Sequence, residues 1–342
     1  MRNHTYMNWF GKTDSIYWHD TAVEFERLDA ITNGAVGMTT NPFLIQSTLF
    51  RDPEFWKDKL SEIPKSLGSH EKAEAITHME IDYYSKAWLP VYEKGEPFTG
   101  FICAQMNPLK SGDVEYMVAQ GDRYASWGKN VMLKIPATRA GLEAVEESVA
   151  KGYHVASTCS LSVAQVYEAA KAIKRGEERA KKNGITPGMT CTVLQPGRLD
   201  DYLRDCAADY HSGLKEEDIV QAGLACSKKA YNLLKDEGYD SLLLFAGFKS
   251  LTQITQMAGA KAVFTIPTAI VDQIPDDQPC IETVDEPVPA DVIDRLMKLP
   301  EFRRAYLEDG MKPEEFITFG AYNRTIDQLI NDGWNIMMNY QL

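Results

Sequence analysis

The stretch Val131-Met132-Leu133-Lys134-Ile135-Pro136 is a run of β-prone apolar residues interrupted by a single lysine. In a strand, successive side chains point to opposite faces, so Met132 and Lys134 share one face while Val131, Leu133 and Ile135 share the other. The second face is purely apolar and suits a layer of covering helices. Lys134 is thereby predicted to point inward. Burial disfavours an ammonium ion and favours the neutral amine, which attacks carbonyl carbon. Lysines so placed form Schiff bases with ketones and aldehydes. Read alone, the same stretch also fits a lysine leaving the strand end for water, as most lysines do.

Working outward, short β-prone runs alternate with longer helical patterns. The runs are 15–20, 35–41, 99–105, 131–137, 154–160, 190–196, 241–247 and 262–267. Eight strands separated by helices predict a (β/α)8 TIM barrel formed as a single domain over residues 1–342. A doubly wound sheet is disfavoured because no GxGxxG turn follows a strand. Residues 141–147 carry helical apolar spacing, and Gly152 closes that helix. Two stretches exceed the repeat. Residues 42–97, after the second strand, form a helical insertion whose aromatics (Phe55, Trp56, Tyr83 and Trp88) recur at core spacing. After an acidic, proline-containing loop at 272–289, residues 290–342 form a helical extension that caps the barrel or builds a contact in a homo-oligomer.

Hydrophobic residues make up 44% of the 342-residue chain and charged residues 25%, the profile of a soluble protein with a substantial core. The net charge of −13 argues against a nucleic-acid partner. An anionic substrate therefore needs a local basic pocket within a negative overall field. The six cysteines show neither CxxC pairing nor metal-finger spacing, which fits a reducing, cytoplasmic compartment. No signal peptide and no membrane-length apolar run is present, so no membrane association is expected. The six histidines are scattered, and no metal site is expected.

In a barrel of this kind the reactive side chains belong at the C-terminal strand ends. The candidates there are Asp20, Asn41, Gln105, Lys134, Thr158, Arg198 and Lys249. Two motifs accompany them. Gly37-Met38-Thr39-Thr40-Asn41-Pro42-Phe43-Leu44-Ile45 resembles the strand-two signature of the transaldolase family, and the run from Met132 to Leu142 resembles that family's Schiff-base motif. The likeness extends from about residue 15 to 267, with an echo at 316–320.

The resemblance implies a lysine, Lys134, that forms a carbinolamine and then an imine with a ketose. Cleavage of a carbon–carbon bond then leaves a dihydroxyacetone enamine that adds to an acceptor aldehyde. By the same resemblance Asp20 handles the proton of the cleaved hydroxyl, and Gln105 with Thr158 positions a water. Thr40, Asn41 and Gln195 fall within the substrate contacts, and Arg198 with Lys249 receives an anionic group. No cofactor is implied, and the partners are small sugars or sugar phosphates. Several residues also have plain structural readings: Asp20 as a helix N-cap, Asn41 as a turn residue before proline, and Arg198 and Lys249 in surface ion pairs.

The chain departs from the family pattern at four places. Gln105 stands where transaldolases carry a glutamate; a glutamine there, within Ala104-Gln105, is similar to the fructose-6-phosphate aldolases. Gln195 is neither the tyrosine of those aldolases nor the phenylalanine of transaldolases. Gly247 stands where a serine is usual, and Lys249 where an arginine is usual. The expected activity is a transfer of a dihydroxyacetone unit from a phosphorylated or otherwise anionic ketose. The alternatives are a lyase releasing dihydroxyacetone and a non-catalytic barrel that binds a sugar phosphate.

Overall fold

The computed structural model describes residues 5–342. Eight parallel strands close into a barrel in chain order: β1 Ile16–Asp20, β2 Met38–Thr39, β3 Ile102–Gln105, β4 Val131–Pro136, β5 Val155–Thr158, β6 Thr190–Leu194, β7 Leu242–Phe245 and β8 Val263–Ile266. β8 pairs back onto β1, with Ile16 opposite Val263 and His19 opposite Ile266. All eight expected strands are present and form the expected (β/α)8 barrel, though their paired lengths are shorter. β2 keeps only two residues because Thr40 and Asn41 already turn the chain into the helix Pro42–Arg51.

The strands are buried on both faces, as parallel barrel strands must be. Trp18, Cys103, Met132, Ala156, Cys191, Val193, Leu244 and Val263 fill the interior. Val131, Leu133 and Ile135 instead join the outer core between sheet and helices. The alternation read from β4 is therefore the one observed. Trp18 anchors the interior: its indole N–H donates to the Phe98 carbonyl at 2.8 Å, and a Cβ on Gly37 would sit 2.6 Å from it.

The insertion after β2 is three helices, Pro42–Arg51, Pro53–Ser61 and Ser69–Tyr92. Trp56, Ile76 and Trp88 are fully buried there, and Trp56 meets Tyr83 and Tyr84 edge to face, as core residues rather than a cofactor site. The repeat thins at its end. Only the single turns Thr252–Thr255 and Thr268–Val271 follow β7 and β8, and Gly247 and Gly259 take positive φ on either side of the first. The C-terminal extension folds back on the same chain, closing over the barrel. A Cβ on Gly333 would lie 2.7 Å from the Pro42 backbone, and Lys72 Nζ donates to the Tyr340 carbonyl at 2.8 Å.

Candidate functional site

Lys134 lies in the middle of β4, register-paired with Gln105 on one side and Ala156 on the other. Its side chain is 3% exposed, and Nζ donates to the Thr40 carbonyl at 3.2 Å. Among the described residues it forms no ion pair with a carboxylate, and that carbonyl holds the amine in place. The segment that follows keeps β4 rigid. Thr138 Oγ1 accepts the Gly141 N–H at 2.9 Å, capping the helix Arg139–Ala150, and donates to the Ser111 carbonyl at 2.6 Å. Gly141 has no substitute, since a Cβ there would sit 1.7 Å from the Pro136 oxygen. Gly152 ends this unit with φ 82°.

Asp20 closes β1 and is not a helix cap; the next helix, Glu24–Thr32, begins after Val23. Thr39 Oγ1 donates to Asp20 Oδ1 at 2.7 Å and lies 2.6 Å from Thr265 Oγ1. Because Thr39 has one proton and gives it to the carboxylate, Thr265 must be the donor in that second contact. A directed chain thus runs Thr265 to Thr39 to Asp20. Burial raises the Asp20 carboxyl above the ordinary carboxylate range, opposed by the charge of Lys134, the Thr39 hydrogen bond and the charge of Arg198. The amine and the acid therefore sense each other across the barrel mouth.

The motif around β2 serves the site through its backbone. Thr40 spends its hydroxyl on the Cys103 carbonyl at 2.7 Å, so its contribution at Lys134 is the carbonyl oxygen. Asn41, read as a turn residue before proline, is instead the N-cap of the helix Pro42–Arg51, accepting the Leu44 N–H at 3.1 Å; its amide nitrogen is not used in that cap. Gln105 is buried, with Nε2 3.8 Å from the Cys159 thiol. Thr158 Oγ1 and Gln195 Oε1 are buried without a hydrogen-bond partner among the described residues. Each of these oxygens, one at the end of β5 and one just past β6, lacks the partner that buried polar groups normally have.

Arg198 and Lys249 line one cavity of about 310 Å³ with Asp201, Arg324, Thr325, Gln328 and Asp332. Arg198 is half-buried, and its Nη1 donates to Gln328 Oε1 at 2.7 Å. Burial lowers its guanidinium pKa, and the nearby charge of Arg324 adds to that, while Cys159, Asp20 and Asp201 oppose it. Lys249 is exposed and reaches Asp201 Oδ2 at 3.7 Å, the ion pair of its structural reading. Three cations outnumber the two carboxylates, Asp201 and Asp332, that line the same cavity, which leaves it locally more basic than a chain of net charge −13.

Gly247 has a backbone reason for being glycine. Its φ of 62° is one that side-chain-bearing residues rarely adopt, and a Cβ would press on Arg198 at 3.3 Å. The sequence reasoning missed Thr39, Thr265, Arg324, Thr325 and Gln328. Period-two alternation from Asn41 would have placed Thr39 inward; the tail residues carry no local signal. Among the described residues no group of histidine, cysteine, aspartate and glutamate side chains is arranged to hold a metal ion, and no helix is long and apolar enough to cross a membrane.

The geometry defines a class: a closed parallel barrel with an enclosed amine, a perturbed carboxyl group and a cavity lined by Arg198, Lys249 and Arg324. A family model described as Transaldolase/Fructose-6-phosphate aldolase matches residues 17–315. The chain belongs to that family. Transaldolase 1 of Streptomyces coelicolor is 27% identical over 241 residues, covering 68% of this chain and 59% of the relative. Transaldolase 1 of Streptomyces avermitilis is 30% identical over 222 residues, covering 62% and 55%. A transaldolase of Neisseria meningitidis is 29% identical over 210 residues, covering 60% and 58%. The chain thus spans less than two thirds of the length of these curated relatives.

Proposed function

We propose that the protein is an enzyme of carbohydrate metabolism that transfers a dihydroxyacetone unit from an anionic ketose to an aldehyde, through an imine on Lys134. The observation that carries this is the enclosed Lys134 amine, 3% exposed, beside an acid whose carboxyl group is raised by burial. Amine attack on the ketose carbonyl gives a carbinolamine, and loss of water gives the imine. The imine nitrogen withdraws electrons as the adjacent carbon–carbon bond breaks. Asp20, ionised, takes the proton of the hydroxyl on the departing fragment, and a carboxyl group raised toward the working pH is a better base for that task. The enamine left on Lys134 attacks the acceptor aldehyde, and Asp20 returns the proton. Thr158 and Gln105 are suited to orient the water that is lost and regained, and Asn41 to contact substrate hydroxyls. Arg198 and Lys249 fit the anionic end.

A lyase releasing dihydroxyacetone is the second reading, favoured by Gln105, which orients water by hydrogen bonds but cannot titrate. Incubation with fructose 6-phosphate, with and without an aldehyde acceptor, tests both. Transfer product only with acceptor supports the transferase; steady release of dihydroxyacetone without acceptor supports the lyase. No turnover of any anionic ketose, with native and Lys134→Met proteins indistinguishable, would refute both and leave a sugar-phosphate-binding barrel.

A further inference from the structure

A buried acid that takes no part in the chemistry above ties the two walls of the anion-facing cavity together. Asp200 lies two residues after Arg198 in the helix Pro196–Asp209 and is 3% exposed. Its Oδ1 accepts the Gly223 N–H at 2.6 Å, and its Oδ2 accepts from Gln253 Nε2 at 2.6 Å. Gln253 Oε1 in turn accepts the N–H of Lys249 at 2.9 Å and, more weakly, that of Ser250 at 3.4 Å. The walls touch backbone to backbone: a Cβ on Gly197 would lie 2.6 Å from both the Gly247 oxygen and the Lys249 nitrogen.

The chain of hydrogen bonds has a single polarity. Only an acceptor at both oxygens of residue 200 fits two N–H donors, and this fixes the Gln253 amide with its carbonyl toward Lys249. We propose that Asp200 is a positioning residue for the cavity: its ionised carboxylate orients Gln253, and Gln253 holds the Lys249–Ser250 turn so that Lys249 faces an anion beside Arg198. This rests on reading the cavity as the seat of the substrate's anionic end.

A neutral group at this position breaks the polarity. An amide, or a protonated acid, presents one donor to a place where both neighbours donate. Turning Gln253 to relieve that conflict points its NH2 at the Lys249 N–H. Burial raises the Asp200 carboxyl to about 7, opposed by the Gly223 and Gln253 hydrogen bonds and by Arg204, while Asp201 raises it further. The other helix packed on it contributes Cys226, whose thiol burial pushes far above its usual range. The β7 side contributes the Gln253 amide. The positioning should therefore be present at alkaline pH and lost as pH falls through neutrality.

Sulfate is the probe, because its charge is constant between about pH 5.5 and about pH 8.5, where Asp200 titrates. Calorimetric titration of the full chain should show sulfate affinity rising about tenfold with pH across that range. Asp200→Asn should bind weakly with no pH dependence, and Asp200→Glu should recover part of the dependence. Gln253→Ala, which keeps the acid and removes the relay, should also bind weakly and flatly, so the test survives a poorly folded Asp200→Asn. Affinity that is flat in the native protein, or that falls with rising pH as it would if Asp200 acted only as a negative charge, overturns the proposal. Arg198→Gln separates the two failures. If it abolishes sulfate binding while native affinity is flat, the positioning role alone falls; if it leaves binding intact, the cavity reading falls with it.

Discussion

Thr39→Val removes one hydroxyl and tests whether Asp20 moves the proton. Thr39 Oγ1 is a donor to Asp20 Oδ1 at 2.7 Å, and a donor to a carboxylate favours its ionised form. A hydrogen bond to a charged group contributes about 1.5–3 kcal/mol. The valine also leaves Thr265 without its 2.6 Å acceptor, which adds to the local cost but not to the charge balance on Asp20. In the proposed mechanism ionised Asp20 is the base, so activity should fall on the acid side of its titration. The loss of the donor should move that limb to higher pH, lowering kcat/KM on the limb by on the order of 10- to 100-fold. On the alkaline plateau Asp20 is ionised in both proteins, and the rates should converge to within a few fold. The assay is a pH profile of kcat/KM from about pH 5 to about pH 9 with a ketose that does not titrate in that range. A drop that is equal at every pH, with the limb unmoved, would refute the role given to Asp20.

Other perturbations follow from the same contacts. Gly141→Ala places a Cβ 1.7 Å from the Pro136 oxygen; the helix after β4 must shift, with a loss of about 3 kcal/mol or more in urea unfolding. Thr138→Ala deletes the cap on that helix and should cost about 1–2 kcal/mol in the same measurement. Burial lowers His19 to about 4, against 6.5 for the free side chain. Its contribution is therefore intact above about pH 6.5 and erodes as pH falls toward 4, by about 2 kcal/mol at pH 5. His19→Gln should show a smaller difference in urea midpoint between pH 7 and pH 5 than the native protein.

The barrel was legible because its signals are local. Period-two alternation in Val131–Pro136 put Lys134 inside, and the strand ends put Asp20, Gln105 and Thr158 around it. Those placements follow from pleat and register alone. What escaped detection depends on contacts between segments distant in the chain. The pairing of Thr39 with Thr265 spans β2 and β8, which become neighbours of β1 only when the barrel closes. Gln328 reaches Arg198 across 130 residues of sequence. Asn41 shows how one residue carries two meanings: its side-chain oxygen caps a helix, while it lies just past β2 at the strand end where the sequence placed a substrate contact. At Gly247 the sequence showed only a glycine where the family usually has a serine, whereas its φ of 62° makes it a backbone requirement.

The most direct measurement is borohydride reduction in the presence of a ketose, followed by mass spectrometry of the peptide containing residue 134. Enclosure of this amine in the mouth of the barrel predicts a stable reduced adduct on Lys134, absent without ketose and absent in Lys134→Met. An unmodified peptide, or an adduct distributed over surface lysines, would contradict the covalent route.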